Sequence, residues 1–567
     1  MTLLVYVLVA PAWIVEGDNA ELAGLSVLGG AAHPSGYPLY VLWLRAWSWL
    51  PAHSPAHAAA IATGILTAIE VVLVQAAARA WGARPPAAAL VAALLAASPI
   101  VLRVQSQAEV FALSGAIVAA VLCLAAAGGP LRGERRVVAL ALVAGLGLSN
   151  HLTCAFVAPI GILGVVRGMR EATRSRAVVV ALGLAALVVG LLPYVYLLVA
   201  PSTPSSWGKI DGITALVRHV LRMDYGGPGE LSPHGAQVAA TENLWTLAQS
   251  LGRAYLWLPI AAALVAWKKP GETRAAWLCW LASFVLAGPL FVARFNLHPL
   301  GLERYTVSRF HLLPMVLLAI PIAVGLDWIG ERVLARVPGQ LVRSQVAGVL
   351  LAVAVFLGAA LVSLPGVARY HTAAVERSLE NTLTTLPPDA IVIGTQDILH
   401  FGSSYLQAAV GIRPDVTVIS TPQVGLAYYR ERVRAKTGVD LSVLVTEKSA
   451  VPSVRIAELM LATGRPLFID QFQANIAKRF PVYPYGAVFR VLPRGSALPS
   501  IGELFATNKA LFEKFRFDYP TPGPGDDLAA QAHAQYAATW RALAEGLAAH
   551  PDDRAYALAM VAALAPH

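Results

Sequence analysis

Residues 137–166 read VVALALVAGLGLSNHLTCAFVAPIGILGVV, thirty residues without a charge, with a polar step at Ser149-Asn150-His151 near the middle. A bilayer core needs roughly 20 apolar residues per helix. The stretch is therefore either one tilted crossing or a hairpin of two short ones turning at Asn150-His151. The flanking cations choose between them. Arg132, Arg135 and Arg136 precede it, and Arg167, Arg170, Arg174 and Arg176 follow it. The positive-inside rule puts both clusters on one face, which requires two crossings.

Working outward, further apolar stretches lie at about 2–15, 56–78, 86–102, 110–127, 177–199, 254–267, 275–293, 310–329 and 344–364. With the hairpin counted as two they make about eleven spans. The first, which no Lys or Arg precedes, is kept as a span because no small-residue cleavage site follows it. Arg79 and Arg84, the two clusters above, Lys268, Lys269 and Arg274, and Arg332, Arg336 and Arg343 then share one side, 15 cations in five loops. The reading is a multi-pass integral membrane protein with a cytoplasmic N-terminus. Loops around 16–55, 103–109, 200–253 and 294–309, and everything after 365, face outward.

Composition agrees. The 567 residues are 57% hydrophobic and only 13% charged, against about a quarter charged in a soluble domain. Mean hydropathy is +0.61. A disordered chain and a single soluble globule are excluded. The net charge of +10 and pI near 9.5 hint at nucleic acid, but the excess is misplaced for that partner. Residues 1–365 hold 24 Lys and Arg against 15 Asp and Glu, and residues 366–567 hold 19 against 18. The basic excess is a topology signal. Cys123, Cys154 and Cys279 lie far apart in apolar runs and give neither a disulfide framework nor a zinc pattern.

After 365 the grammar changes. Ile391-Val392-Ile393, Val416-Thr417-Val418-Ile419, Leu467-Phe468-Ile469 and Val488-Phe489-Arg490-Val491 read as short buried strands. Helical spacing fills 398–410, 423–436 and 452–463, and the alternation predicts an extracytoplasmic α/β domain over 366–520. Pro520-Thr521-Pro522-Gly523-Pro524-Gly525 breaks the chain. Residues 526–567 read as a helical tail, one helix pair resembling a tetratricopeptide unit and too little for a repeat array. Residues 1–365 form the membrane domain.

Polar groups at membrane depth or lip are costly and mark function. Asp18 and Glu21 share a helical face and can divide base and electrostatic roles. They also fit a capping box, with Asp18 as cap and Glu21 at its third position. His33-Pro34-Ser35-Gly36-Tyr37-Pro38 is by composition a rigid turn back into the membrane. Glu109 is a charge partner or a snorkelling side chain, and Asn150 with His151 caps the hairpin tip or binds a ligand. Arg218, His219 and Arg222, after Trp207-Gly208, and Arg304, Arg309 and His311 run against the positive-inside trend. Arg there suits a lipid phosphate or generic headgroup contact. No P-loop, dinucleotide fingerprint, His-Glu-x-x-His or nucleophile elbow stands at a usable position.

These residues resemble a known family. Asp18-Asn19-Ala20-Glu21 followed by His33-Pro34-Ser35-Gly36-Tyr37-Pro38-Leu39-Tyr40 is similar to the opening of membrane proteins related to protein O-mannosyltransferases, with their Asp-x-Gly-Glu and His-Pro-Pro-Gly-x-Pro-Leu. Ala108-Glu109-Val110-Phe111-Ala112-Leu113, Gly145 to Thr153, Leu192-Pro193-Tyr194 with Trp207-Gly208, Arg309-Phe310 and Arg413-Pro414-Asp415-Val416-Thr417-Val418 follow in the family's order, over about residues 1–435. Ala20 replaces the usual Gly and Ser35 the second Pro; both are small and leave the acids in place.

The resemblance implies a fold of the glycosyltransferase C superfamily and an inverting hexosyltransferase. It would move a sugar such as mannose from a polyprenyl-phosphate lipid to a hydroxyl on a protein or glycan acceptor, at the extracytoplasmic face. In that setting Asp18 is the expected base and Glu21 its companion. His33, Tyr37, Glu109, Asn150, His151, Trp207, Arg304 and Arg309 are the expected substrate-binding residues. No metal ligand set or cofactor is implied beyond the lipid-linked sugar as donor substrate, and a divalent ion is left open. The alternative is a secondary transporter or a translocase of lipid-linked intermediates. It predicts discontinuous helices with midplane charges and a pseudo-repeat, whereas the chain shows no repeat and keeps its charges at one lip.

Overall fold

The computed structural model describes residues 1–227, 240–334, 345–446, 452–525 and 527–566. Of the positions named above, Arg336 and Arg343, and parts of the 200–253, 344–364 and 526–567 stretches, lie outside them. The described chain divides into two compact units.

The first unit comprises Met1–Pro11, Ala31–Ala200 and Ile210–His371 and is helical. Its helices are apolar on most faces, as a lipid environment demands. Five are long and apolar enough to cross a bilayer: Pro55–Ala80, Leu152–Glu171, Arg176–Val199, Leu312–Val333 and the helix beginning at Ala347. Two bent pairs raise the number to seven, Pro85–Ala97 with Pro99–Gln105 at 63° and Ala240–Tyr255 with Pro259–Lys268 at 93°. Phe111–Ala125 and Arg274–Leu290 are shorter apolar helices. The eleven stretches of the sequence thus fold as helices, but not all reach spanning length. The 2–15 stretch is the clearest departure. Its helix is only Thr2–Val9, because Ala10 precedes Pro11 and takes the extended conformation a following proline favours.

The 137–166 stretch folds as the hairpin its flanking charges demand. One helix, Gly133–Asn150, ends at His151, and the next runs from Leu152 through a 3₁₀ turn to Glu171. The far ends meet: Arg136 donates to Glu171 at 3.2 Å, and the Gly133 amide donates to the same carboxylate at 3.1 Å. Other cation-bearing loops join at that end. Arg167 pairs with Glu272 at 2.6 Å, Arg84 with Asp327 at 2.7 Å, and Lys269 with Asp327 at 2.6 Å and Glu331 at 2.8 Å. The cations that read as one face of a membrane protein are knitted together by ion pairs.

The second unit comprises Ala12–Gly30, Pro201–Lys209 and Thr372–His567. At its centre is a five-stranded sheet of β1 (Ile391–Gly394), β2 (Thr417–Ser420), β3 (Leu467–Ile469), β4 (Val482–Tyr485) and β5 (Val488–Val491) in the order β2-β1-β3-β5-β4. β1 pairs in parallel with β2 and β3, while β5 runs antiparallel to β3 and β4. The four strands read from the sequence are present. β4 was hidden by Pro484 and its half-buried residues, which give no apolar run. The Leu528–Gly546 and Pro551–Leu564 helices form the expected pair, with Tyr536 and Trp540 against Phe505 and Phe512 of the unforeseen Ile501–Phe512 helix.

The unit boundaries differ from the division at 365. The Gln345–Tyr370 helix carries the first unit to His371, and two segments from the N-terminal half belong to the second unit. The physical reason lies in small residues. A Cβ on Gly24 would meet Ser205 Oγ at 2.6 Å, and one on Gly30 would meet Ser206 Cβ at 2.5 Å. The 201–209 loop can therefore lie directly against the Asn19–Leu28 helix. Arg432, on the Ala427–Thr437 helix, clasps that loop by donating to the carbonyls of Thr203, Pro204 and Ser206.

Candidate functional site

In the second unit, Asp18 stands at the N-terminus of the Asn19–Leu28 helix, yet its side chain makes no capping hydrogen bond. The capping-box reading of Asp18 and Glu21 therefore fails. Asp18 is half-buried, whereas Glu21 and Glu16 are buried. Asn19 holds the approach by accepting the Val15 amide at 3.1 Å. Trp207 belongs to the same unit, buried with its ring 6.2 Å from that of Tyr428. A Cβ at Gly208 would overlap the Tyr428 ring, and its φ of +92° is a conformation glycine adopts freely.

The first unit gathers His33, Tyr37, Glu109, Asn150, His151 and Arg309 into one connected cluster. Tyr37, with left-handed backbone before the Pro38–Ala46 helix, shares a 3.0 Å hydrogen bond between its hydroxyl and His33 Nε2. Its ring stacks on His151 at 5.5 Å with 4° between planes. His151 Nδ1 accepts the Thr153 amide at 3.2 Å, which leaves the proton of a neutral imidazole on Nε2. The neighbouring Asn150 donates to Ser114 Oγ at 2.9 Å and ties the hairpin tip to the Phe111–Ala125 helix. Phe111 lies 5.5 Å from His151 and 5.2 Å from Phe310, centroid to centroid.

Beyond that aromatic wall lies the ion pair. Arg309 Nη1 donates to Glu109 Oε1 at 3.0 Å, and the Tyr305 hydroxyl donates to the same oxygen at 3.1 Å. Gln107 in turn donates to Tyr305 at 2.7 Å. Glu109 is 0% and Arg309 8% exposed, so snorkelling does not describe Glu109. Its charge is desolvated and matched by a guanidinium, the arrangement burial requires.

Arg304 is placed apart from this pair. It is exposed and lines a cavity of about 230 Å³ with Arg103 and Arg253, together with Ser98, Thr246, Gln249, Ser250, Ser308 and Tyr370. Arg103 lies over the ring of Tyr370 at 3.3 Å and that of Tyr305 at 4.8 Å, which fixes its plane. Ser98 Oγ is buried without a hydrogen-bond partner among the described residues. Three guanidiniums and a spare hydroxyl are donors suited to an anion.

Of the expected residues, His33, Tyr37, Glu109, Asn150, His151, Arg304 and Arg309 fall in the first unit, and Asp18, Glu21 and Trp207 in the second. Sequence reasoning missed Arg103, Arg253, Tyr305 and Glu70. Glu70 was the most visible, a lone acid within the apolar Pro55–Ala80 helix; it is buried and accepts from Gln105 at 2.8 Å. His219, noted only as cationic, is buried: its Nε2 meets the Ala32 carbonyl at 2.9 Å, and burial lowers its pKa to about 4. Among the described residues no three His, Cys, Asp or Glu side chains cluster as a metal site.

Comparison with known proteins gives this geometry its context. Residues 18–174 match the family described as the protein O-mannosyl-transferase TMEM260 N-terminal domain. The protein O-mannosyl-transferase TMEM260 of Mus musculus is 23% identical over 454 residues, covering 75% of this chain and 62% of the mouse protein. The chain thus spans less than two thirds of that relative's length. Among solved structures, ArnT from Cupriavidus metallidurans bound to undecaprenyl phosphate is similar with a TM-score of 0.55 and 14% identity, over 88% of this chain and 98% of that one. Its apo state gives 0.52 and 14%, over 88% and 97%. At this identity the likeness is one of fold alone, a many-helix membrane architecture. Residues 18–174 are thus similar to the N-terminal domain of the O-mannosyl-transferase family, and the chain as a whole shares the fold of the ArnT structures.

Proposed function

We propose that the chain is a membrane glycosyltransferase. It moves a hexose such as mannose from a polyprenyl-phosphate donor to a hydroxyl on a protein or glycan, at the extracytoplasmic face. The observation that carries this reading is the cavity bearing Arg103, Arg253 and Arg304, in a fold shared with a protein solved with undecaprenyl phosphate. A lipid phosphate is the anion a membrane supplies, and guanidinium forks match its oxygens.

In this mechanism Asp18 takes the proton of the acceptor hydroxyl. The hydroxyl oxygen forms a bond to the anomeric carbon as the carbon–oxygen bond to phosphate breaks. The electron pair leaves with the phosphate, and direct displacement inverts the sugar. The departing phosphate gains charge, which Arg309 or Arg304 stabilises, aided by the Nε2 proton of His151. Glu109 and Tyr305 hold Arg309 in place. Glu21 orients sugar or acceptor hydroxyls, as do His33, Tyr37, Asn150 and Trp207. The same face holds the α/β unit, and the N-terminus is cytoplasmic.

A second reading, a translocase of lipid-linked intermediates, is favoured by one feature, the helix pair bent by 63° at Ser98 beside the buried Glu70. One experiment separates the two. Purified protein in liposomes is given a radiolabelled polyprenyl-phosphate sugar with an acceptor, and Asp18→Asn serves as control. Transfer abolished by Asp18→Asn is the expected result. Transfer surviving that change removes Asp18 as base, and flux of donor without transfer replaces the enzyme with the translocase.

A further inference from the structure

The second unit contains a cleft that the transfer reaction does not use. It has a volume of about 370 Å³ and lies at the carboxyl ends of the neighbouring parallel strands β1 and β3. The connections from these strands diverge. The chain leaves β1 for β2 on one side, and β3 stands on the other. That is a switch point of an open sheet, where such folds bind ligands. The walls come from the Ala374–Thr385 and Leu528–Gly546 helices and the turn between β4 and β5.

The lining has a definite chemistry. Its polar groups are Ser378, Thr382, Gln396, Asp470, Gln471, Gln531 and Gln535, set among aliphatic residues such as Leu379 and Leu399. Among the described residues no Lys or Arg lines it, which disfavours a phosphate or carboxylate ligand. Asp470 is divided in its duties. Oδ2 accepts from the Thr395 amide at 2.8 Å and from its hydroxyl at 3.0 Å, fixing the turn after β1. Oδ1 is buried and has no hydrogen-bond partner among the described residues. An orphaned buried carboxylate oxygen is costly, and burial raises the Asp470 pKa accordingly. Gln471 donates to Thr395 Oγ1 at 2.6 Å and Gln535 to the Asp470 carbonyl at 3.3 Å, so both amides are held in place.

We propose that this cleft is a saccharide-binding site, for a neutral mono- or oligosaccharide. Neighbouring sugar hydroxyls both donate and accept, and amides alternating with a carboxylate answer them pairwise. Aliphatic walls cover the C–H faces that a sugar presents between its hydroxyls. The site holds the sugar without reacting with it, and its existence does not depend on the chain being a transferase.

The test uses the full-length protein in lipid nanodiscs, since many detergents carry sugar headgroups. Saturation-transfer NMR is run with α-1,2-mannobiose, maltose and N-acetylglucosamine, and with a serine/threonine peptide and inorganic phosphate beside them. At least one saccharide should bind saturably. Gln535→Ala and Asp470→Asn should each weaken it about tenfold, the effect of losing one strong hydrogen bond, and Ala532→Trp should abolish it by filling the cleft. Circular dichroism and a thermal melt of each variant separate loss of binding from loss of fold. Absence of binding by all three saccharides overturns the proposal. So does saccharide binding that is unchanged in folded Ala532→Trp, or saturable binding of only the peptide or phosphate.

Discussion

Glu109 and Arg309 show how one buried pair constrains the first unit. Two charges are withdrawn from water, and each is tolerable only because the other is present. Replacing Arg309 with Met should cost about 3–5 kcal/mol, because it strands the Glu109 carboxylate. Adding Glu109→Gln to that variant should restore most of the loss. Thermal melts of the purified single and double variants check this, and an additive double variant would mean that the pair is not coupled. The pair was half legible in the sequence. Glu109 and Arg309 stand in recognisable motifs, but Tyr305, which shares the carboxylate, has nothing in its surroundings to announce it. His400 makes a second argument at this scale. It is buried against Tyr429, with ring centroids 5.4 Å apart, and burial lowers its pKa from 6.5 to about 3, with Arg432 and Lys436 adding to the effect. The neutral ring is favoured in the folded state. Its stabilisation is complete above pH 6.5 and is lost as pH falls through the window from 6.5 toward 3. At pH 5 the loss should be about 2 kcal/mol. Chemical denaturation of the second unit at pH 7.5 and pH 5 should show it, and His400→Phe should remove that share of the pH dependence.

The decisive elements are the helices Gly133–Asn150 and Arg176–Leu191, which cross with almost no side chain between them. A Cβ at Gly145 would meet the Leu187 carbonyl oxygen at 2.4 Å, and one at Gly190 would meet the Leu142 carbonyl oxygen at 2.4 Å. Close approach through small residues is how membrane helices gain van der Waals contact when lipid offers no hydrophobic drive. Gly145→Leu should push the pair apart and lower the yield of monodisperse protein in size-exclusion chromatography. Gly161→Leu, where a Cβ meets only Val121 at 3.8 Å, should leave the yield near wild type. The hairpin itself was legible, because charge must be kept on one side of a membrane and Arg132 to Arg136 and Arg167 to Arg176 flank it. The bends were not. The 63° break at Ser98 lies before Pro99, but a proline in an apolar run does not tell a kinked span from two separate helices. In the second unit, strands such as Ile391–Gly394 were plain because both faces are buried and the run is apolar, while the half-buried Val482–Tyr485 gave no pattern to read.

At the scale of the whole molecule the charge distribution predicts orientation. Arg136, Arg167, Arg84 and Lys269 are joined through acids in one ion-paired region of the first unit, which the positive-inside rule assigns to the cytoplasm. In a background without Cys123, Cys154 and Cys279, Arg174→Cys should react with an impermeant maleimide only after permeabilisation. Lys478→Cys, in the second unit, should react in intact cells, and the reverse pattern would invert the topology. The sequence by itself determined the membrane class, the hairpin at Asn150-His151 and four strands of the sheet, because hydropathy, charge asymmetry and runs of apolar residues are local properties of the chain. Only the tertiary structure decided that Ala12–Gly30, with Asp18 and Glu21, belongs to the same compact unit as the α/β sheet. It alone decided that Arg103, Arg253 and Arg304 share a cavity, and that Asp470 opens a second cleft between β1 and β3. Those facts depend on which distant surfaces fit closely enough to touch, as Gly24 fits Ser205, and complementarity of shape between remote segments leaves no periodic trace in a sequence.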